Sequence, residues 1–353
     1  MSLSEGRKKL RSFLEAVAAL GFFALATSLA RHGAARAATE AWVPLFTQIL
    51  RVGFVLAGFW VFGRVFDREA HPIEAIGLKR RSGWWNEIGL GLAFGWALVV
   101  ACVLPLTVIG GISVVLLTAL HDWAWLVVEV AFFLLLTLGE ELALRGYGYQ
   151  RLIQAVGEFR GTVLMVALTA VAQWAVPGST RASILVAMLV TTVLSVAYLR
   201  TRALWVSWSI NFGWKATRAL LFGLAVRGDA AHSPVVEGNP MGPFWLTGGG
   251  YGLDGSWWAA IVLLAALPFL YKATRELDFV HNAPVLIPGG IPMELGAEPA
   301  PVASEPIPGP VSNPLVQILP MAAESPAPPV PAVSESSAPE SPEIAESSES
   351  GQQ

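Results

Sequence analysis

The stretch GEELALRGYGYQRL, residues 139–152, puts two adjacent acids and an arginine at the end of an otherwise apolar run, AFFLLLTL. Glu141 and Arg145 are four residues apart, so on a helix they share a face and can pair. Glu140 is turned about 100° from Glu141 by the 3.6-residue period and points elsewhere, into the interior of a bundle. Glu129 precedes Glu140 by eleven residues, close to three turns, and falls on the same stripe. A charge at the centre of a bilayer costs about 2.5–3.5 kcal/mol on insertion scales, so such residues are functional candidates by default. Two uses are open. A carboxylate in a partly wet, apolar-walled cavity is a candidate general base that activates water. Alternatively, the charges form structural ion pairs that knit helices together.

A second polar set follows further along the chain. Asn211, Lys215 and Arg218 stand at i, i+4 and i+7, with Ser207 four residues earlier, so one helix carries them as a single stripe. Donors on that stripe opposite Glu129, Glu140 and Glu141 supply what a buried ion-pair network needs.

The elements that must position these residues are membrane helices. Hydrophobic residues make up 54% of the chain and Asp, Glu, Lys and Arg only 14%, at a mean hydropathy of +0.56. A soluble domain spends about a quarter of its residues on charge. Together with runs of spanning length, this predicts a polytopic membrane protein. Eight spans are predicted: Phe13–Ala30, Val43–Phe62, Ile88–Ile109, Trp123–Leu144, Gly161–Val176, Ser183–Leu199, Ala203–Leu224 and Trp257–Tyr271. The first has no convincing cleavage site after it and is expected to be retained as a helix. Trp42, Trp123, Trp174, Trp257, Trp258 and Tyr271 fall at predicted ends, where amphipathic rings sit at the interface.

Basic residues alternate between loops. Arg7, Lys8, Lys9 and Arg11 precede the first span, and Arg64, Arg68, Lys79, Arg80 and Arg81 fill the second loop. The fourth loop carries Arg145, Arg151 and Arg160, the sixth Arg200 and Arg202, and the odd-numbered loops are poorer. The positive-inside rule then expects both termini in the cytoplasm of an integral protein of a bacterial inner (cytoplasmic) membrane.

No Lys or Arg follows Arg275, whereas eleven acids do. Taking those from the 26 acids leaves 15 against 23 bases, so residues 1–275 carry a net +8 although the whole chain carries −3. Residues 1–275 are therefore expected to form the transmembrane domain. Residues 276–353, rich in Pro, Ser and Glu, are expected to form a disordered cytoplasmic tail, either a docking segment or a solvated linker. No internal repeat is evident, which disfavours a small-molecule transporter even though buried charges would suit one. The single cysteine, Cys102, excludes an intramolecular disulfide. His32, His71, His121, His232 and His281 all fall in predicted loops, span edges or the tail. Catalytic zinc commonly takes three protein ligands, often His, so neither a metal nor another cofactor is expected.

GEELALRGYGYQRL resembles the first motif, EExxxR, of the CPBP family, which includes type II CAAX prenyl endopeptidases and Abi-like bacteriocin-processing proteins. GLKRRSGWWNEIGLGLAFG, YLRTRALWVSWSINFGWKATRALLFGLAVRG and TGGGYGLDGSWWA resemble further segments of that family in the same order, and together they cover roughly residues 75–270, with the motif core at about 123–224. The resemblance implies an all-α, polytopic bundle that hydrolyses peptide bonds near the membrane surface. In this family a motif Glu works with a His of the next span on the attacking water. A later His and Asn, four apart, form the oxyanion hole, the pairing that such chemistry demands. Carried over, the first motif gives Glu140, Glu141 and Arg145. The second, FxxxH, is replaced by TAVAQ, with Thr169 and Gln173; the third, HxxxN, by NFGWK, with Asn211 and Lys215.

Gln173 can orient a water but cannot accept a proton as imidazole does. Asn211 and Lys215 can donate to an oxyanion, or Lys215 can bond Glu140 and hold it ionised. General acid–base help is worth about 10²–10⁴ in rate and one oxyanion donor about 10²–10³. The expectation is therefore an endopeptidase homologue of reduced or lost activity, or a non-catalytic binding protein that uses the same cavity. Its partners would be the lipid bilayer and a membrane-proximal or lipidated peptide, not nucleic acid. At about 1.5 Å rise per residue, Glu140 lies about 8 Å, Asn211 about 12 Å and Gln173 about 18 Å from the cytoplasmic span ends, which puts Gln173 outside the site unless helices tilt.

Overall fold

The computed structural model describes residues 3–66, 68–117, 120–229, 232–275 and 277, with strand fragments at β3 (Val285–Leu286) and β4 (Pro292–Met293). The chain divides at Leu295 into two units. The second unit, Gly296–Gln353, holds most of the predicted tail and lies outside the described residues.

The first unit is mostly helical. In chain order it contains α1 (Leu3–Ala37), α2 (Val43–Val65), α3 (Trp84–Val108), α4 (Leu120–Arg145) and α5 (Tyr147–Val156). Then come α6 (Glu158–Trp174), α7 (Arg181–Thr201), α8 (Leu204–Ala216), the single turn α9 (Phe244–Thr247) and α10 (Trp257–Ala273). An all-α bundle is what the resemblance implies, but the unit also holds a two-stranded sheet. The β-branched run β1 (Ile112–Leu116) pairs antiparallel with β2 (Val236–Pro240), Ile112 opposite Pro240 and Leu116 opposite Val236. That ladder ties the loop after α3 to the loop before α9.

Every predicted span coincides with a helix, but the helices differ in reach. Four are long and apolar enough to cross a membrane: Glu5–Ala37, Glu40–Val65, Trp84–Val108 and Arg181–Thr201. The chain is an integral membrane protein. Helix α10 is apolar but shorter, α6 has 17 residues and α8 only 13. The predicted span Ala203–Leu224 is not continuous, because after Ala216 the backbone widens into a π-turn over Thr217–Leu221. The sequence also missed α5. Gly146 lets the chain turn after Arg145, and its N–H still bonds Glu141 O at 3.0 Å. The amphipathic segment that follows buries Tyr147, Tyr149 and Leu152.

Small residues set the closest packing. Helices α3 and α8 meet almost backbone to backbone. A Cβ on Gly95 would lie 2.5 Å from Ile210 O, and one on Gly91 would lie 2.1 Å from Ser209 Oγ. Gly213 makes the reciprocal approach, its Cβ position 3.0 Å from Leu92 O. Such small-residue crossings are how helices associate tightly in lipid. Ala16, Ala19, Ala26, Ala30 and Ala34 form a buried stripe on α1, against which α5 packs through Gly148. One core cluster holds Val99, Cys102, Val193, Val206, Ile210 and Leu263, and a second holds Ala19, Val55, Phe59, Leu142 and Tyr149. Helices α4 and α8 pack against each other, with Glu140, Glu141, Asn211 and Lys215 on the facing sides.

Candidate functional site

The end of α4 is held by its own motif. Glu141, fully buried, accepts from Arg145 Nη1 at 2.8 Å, the i, i+4 pair expected from the spacing. Arg145 Nη2 also donates to Thr191 O at 3.2 Å, which joins α4 to α7. The neighbouring carboxylate does point elsewhere: Glu140 faces a cavity and forms an ion pair with Lys215 of α8.

Asn211 lies between the two acids. Its amide nitrogen donates to Glu140 Oε2 at 3.1 Å and to Glu141 Oε1 at 3.0 Å. A primary amide has two N–H donors, so both are engaged by carboxylates, and Asn211 Oδ1 has no hydrogen-bond partner among the described residues. Ser207, one turn earlier, donates to Leu204 O at 3.2 Å and lies beside Glu141. The structure thus brings together Glu140, Glu141, Arg145, Asn211 and Lys215, as the spacing indicates.

The structure corrects the sequence readings of Arg218, Glu129 and His32. Arg218 does not join the Glu140–Glu141 network. The π-turn swings it to Asp254, with Nη1–Oδ1 at 2.6 Å. Asp254 is nearly buried and also accepts from the Arg227 backbone N–H at 3.2 Å. Burial opposes its charge, but the Arg218 guanidinium and its hydrogen bond, with Arg227 and Lys215 nearby, hold the Asp254 carboxyl below its usual range. Glu129 lies away from the cavity and contacts His232 Nδ1 at 3.2 Å, in a ring environment formed by Phe132 and Phe133. Glu15 of α1 lies apart from the site. Glu15 meets Arg11 at 2.7 Å and Arg151 at 3.5 Å. His32, read as a loop residue, lies on α1 with its ring near Ser28 O at 2.8 Å.

A cavity of about 490 Å³ runs along the site. Glu140, Arg145, Asn211 and Lys215 line it, as do Thr169 and Gln173 of α6. Helix placement therefore brings Gln173 to the same space as Glu140 despite its sequence depth. Its side chain is nevertheless committed, with Nε2 donating to Tyr251 Oη at 2.6 Å. Tyr251 arrives on the glycine-rich turn. Gly252, at φ +76°, passes so close to Ala225 O that a Cβ there would stand 2.0 Å away. Only glycine makes that approach at that φ, and it fixes where Tyr251 and Asp254 enter.

Sequence reasoning missed three cations. Arg51 of α2 is buried, crosses α4 at Gly139 and donates Nη2 to Leu136 O at 2.8 Å. A Cβ on Gly139 would lie 2.9 Å from Arg51 Nε, so the glycine of GEE is what admits the guanidinium. Arg31 and Arg227 line the same cavity. A lone Arg in an apolar span was the available signal, but its spacing names no partner.

With this geometry in view, residues 121–217, from α4 to the end of α8, match the family model described as Type II CAAX prenyl endopeptidase Rce1-like. Over that segment the chain is similar to this family. No curated protein and no solved structure matches the chain. The Rce1-like segment contains Glu140, Glu141, Arg145, Gln173, Asn211 and Lys215, whereas Arg51, Arg218 and Asp254 reach the cavity from outside it. The Rce1-like site here is therefore a set of acids already engaged by donors. It holds one amide that gives both its hydrogens to carboxylates and one lysine paired to the cavity-facing glutamate. Among the described residues, no three His, Cys, Asp or Glu side chains cluster as metal ligands would.

Proposed function

We propose that this Rce1-like membrane protein has reduced or lost hydrolytic activity and acts as a binding protein, holding a membrane-proximal or lipidated peptide in the cavity. One observation carries the reading. Lys215 and Asn211, the residues at the third-motif positions, both direct their donors at Glu140 and Glu141. General-base catalysis needs a carboxylate free to take a proton from water, and an oxyanion hole needs donors aimed at the developing charge. Protonating Glu140 would leave Lys215 uncompensated among apolar helices. Gln173, bonded to Tyr251, offers no imidazole to share the proton. We place the protein in a bacterial inner membrane as an eight-span bundle with both termini cytoplasmic, because basic loop residues alternate along the chain.

The test offers prenylated peptides to the purified protein. Wild type is compared with Glu140→Gln and with the triple variant Gln173→His, Asn211→His, Lys215→Asn, which restores the motif residues. The expected result is peptide binding without cleavage by wild type, and cleavage only after restoration. Cleavage by wild type that disappears in Glu140→Gln would overturn the proposal and assign Glu140 as a working base.

A further inference from the structure

The cavity holds more positive charge than the ion pairs use. Six cations line it: Arg31, Arg51, Arg145, Lys215, Arg218 and Arg227. Three carboxylates answer them, Glu141 for Arg145, Glu140 for Lys215 and Asp254 for Arg218. Arg31, Arg51 and the Arg227 side chain have no carboxylate within ion-pair distance among the described residues, which leaves a surplus of three.

Arg51 decides what this surplus is for. It is only 7% exposed, its Nε has no hydrogen-bond partner among the described residues, and it lines the cavity. Among the described residues its one hydrogen bond is to a backbone carbonyl, which neutralises nothing. Arg31 is close enough for the two guanidinium charges to repel, and Arg227 and Arg51 both act on Glu140. Like charges gathered around a buried guanidinium are unfavourable unless an anion joins them.

We infer that this basic end of the cavity is a binding site for a phosphate-bearing group, held between Arg31, Arg51 and Arg227. A peptide carboxylate brings a single charge, whereas a phosphomonoester brings about −1.5 to −2 near neutral pH. Guanidinium forks match phosphate oxygens in pairs. The phosphate can belong to a lipid headgroup or to a free anion. The wall beside it is apolar and reaches the surface at Ala24 of α1 and at Leu168 and Ala172 of α6, which suits an acyl chain. The inference goes beyond the peptide-binding proposal and does not need hydrolysis to be lost. Binding is measured directly, so cleavage by wild type would overturn that proposal and leave this one standing.

The experiment follows thermal unfolding of the full-length protein in neutral detergent at constant ionic strength. One arm adds inorganic phosphate in place of chloride. A second adds phosphatidic acid against phosphatidylcholine with the same chains. A third adds a short peptide with a free carboxylate against its amide. Saturable stabilisation by inorganic phosphate assigns a free anion, and stabilisation by phosphatidic acid alone assigns a lipid headgroup; either supports the site. Arg51→Gln should weaken the apparent affinity by about tenfold or more, since one charge-assisted hydrogen bond is worth that much. Arg31→Gln, at an exposed position, should weaken it in a protein that folds as wild type, whereas Arg160→Gln on the exposed face of α6 should not. A response to the peptide carboxylate alone, no saturable phosphate response in either arm, or a response that survives Arg31→Gln and Arg51→Gln would overturn it.

Discussion

Changing Lys215 to Met removes the positive partner of Glu140 while keeping most of the side-chain volume. Lysine and glutamate side chains here are 7% and 17% exposed, so the pair is close to the buried limit. Removing one partner of a buried ion pair costs about 3–5 kcal/mol, because the other charge is left uncompensated. Glu140 would keep the Asn211 hydrogen bond and the fields of Arg51 and Arg227, so the loss should fall near the lower end of that range. Glu140→Gln strands Lys215 instead and should cost a similar amount. Removing both charges together strands neither, so the double variant should lose clearly less than the two single losses combined. Unfolding in mixed micelles, measured for all four proteins, gives the coupling energy, expected at about 1–3 kcal/mol. Additivity within about 0.5 kcal/mol would show that the two charges do not neutralise each other. The claim that Lys215 engages the cavity-facing carboxylate would then fail.

Three further outcomes follow from other parts of the structure. Gly95→Val should push α3 away from Ile210 O of α8 and destabilise the protein by about 1–3 kcal/mol or more, read as a lower unfolding midpoint, whereas Gly89→Val, in open space, should do much less. Asp254 has a folded pKa below its unfolded value of about 3.9, so its stabilising contribution is complete above about pH 4 and fades as pH falls through the folded value. Asp254→Asn should remove that part of the acid sensitivity and cost about 3–5 kcal/mol at neutral pH, because Arg218 loses its partner; an unchanged acid-unfolding profile would refute it. Tyr251→Phe should cost about 1–3 kcal/mol by leaving buried Gln173 Nε2 without its acceptor, and Gln173→Leu in the same background should restore part of the loss.

Local periodicity made part of this site legible. The spacing of Glu141 and Arg145 specifies their pairing, and the i, i+4 relation of Asn211 and Lys215 places both on one face of α8. What periodicity could not supply was the partner of a charge across the bundle. Arg218 continues the same stripe on paper, yet the π-turn at Thr217–Leu221 changes its angular position and sends it to Asp254. Glu129 shares the stripe of Glu140, yet meets a loop histidine instead of the cavity. Arg51 was visible as a charge in a span, but its place depends on Gly139 of another helix being bare. The α3–α8 contact was similarly hidden, since a glycine in a membrane helix does not name the backbone it touches.

The ion pairs also explain why restoring imidazole alone would not restore a proton acceptor. Histidine at 173 would have to leave Tyr251, and histidine at 211 would release one or both carboxylates from the amide that now joins them. Lys215 would still lie on Glu140 and favour its ionised, unprotonated form. A base that hands its proton onward must move between two charge states at modest cost. Here each carboxylate is coupled to a cation: Glu141 to Arg145 within α4, Glu140 of α4 to Lys215 of α8, and Asp254 of the glycine-rich loop to Arg218 of the π-turn. Shifting a proton onto any of them therefore disturbs helix packing as well as the local field. Among the described residues the same coupling leaves Arg31, Arg51 and Arg227 without a carboxylate partner, and these are the charges that the proposed anion site uses.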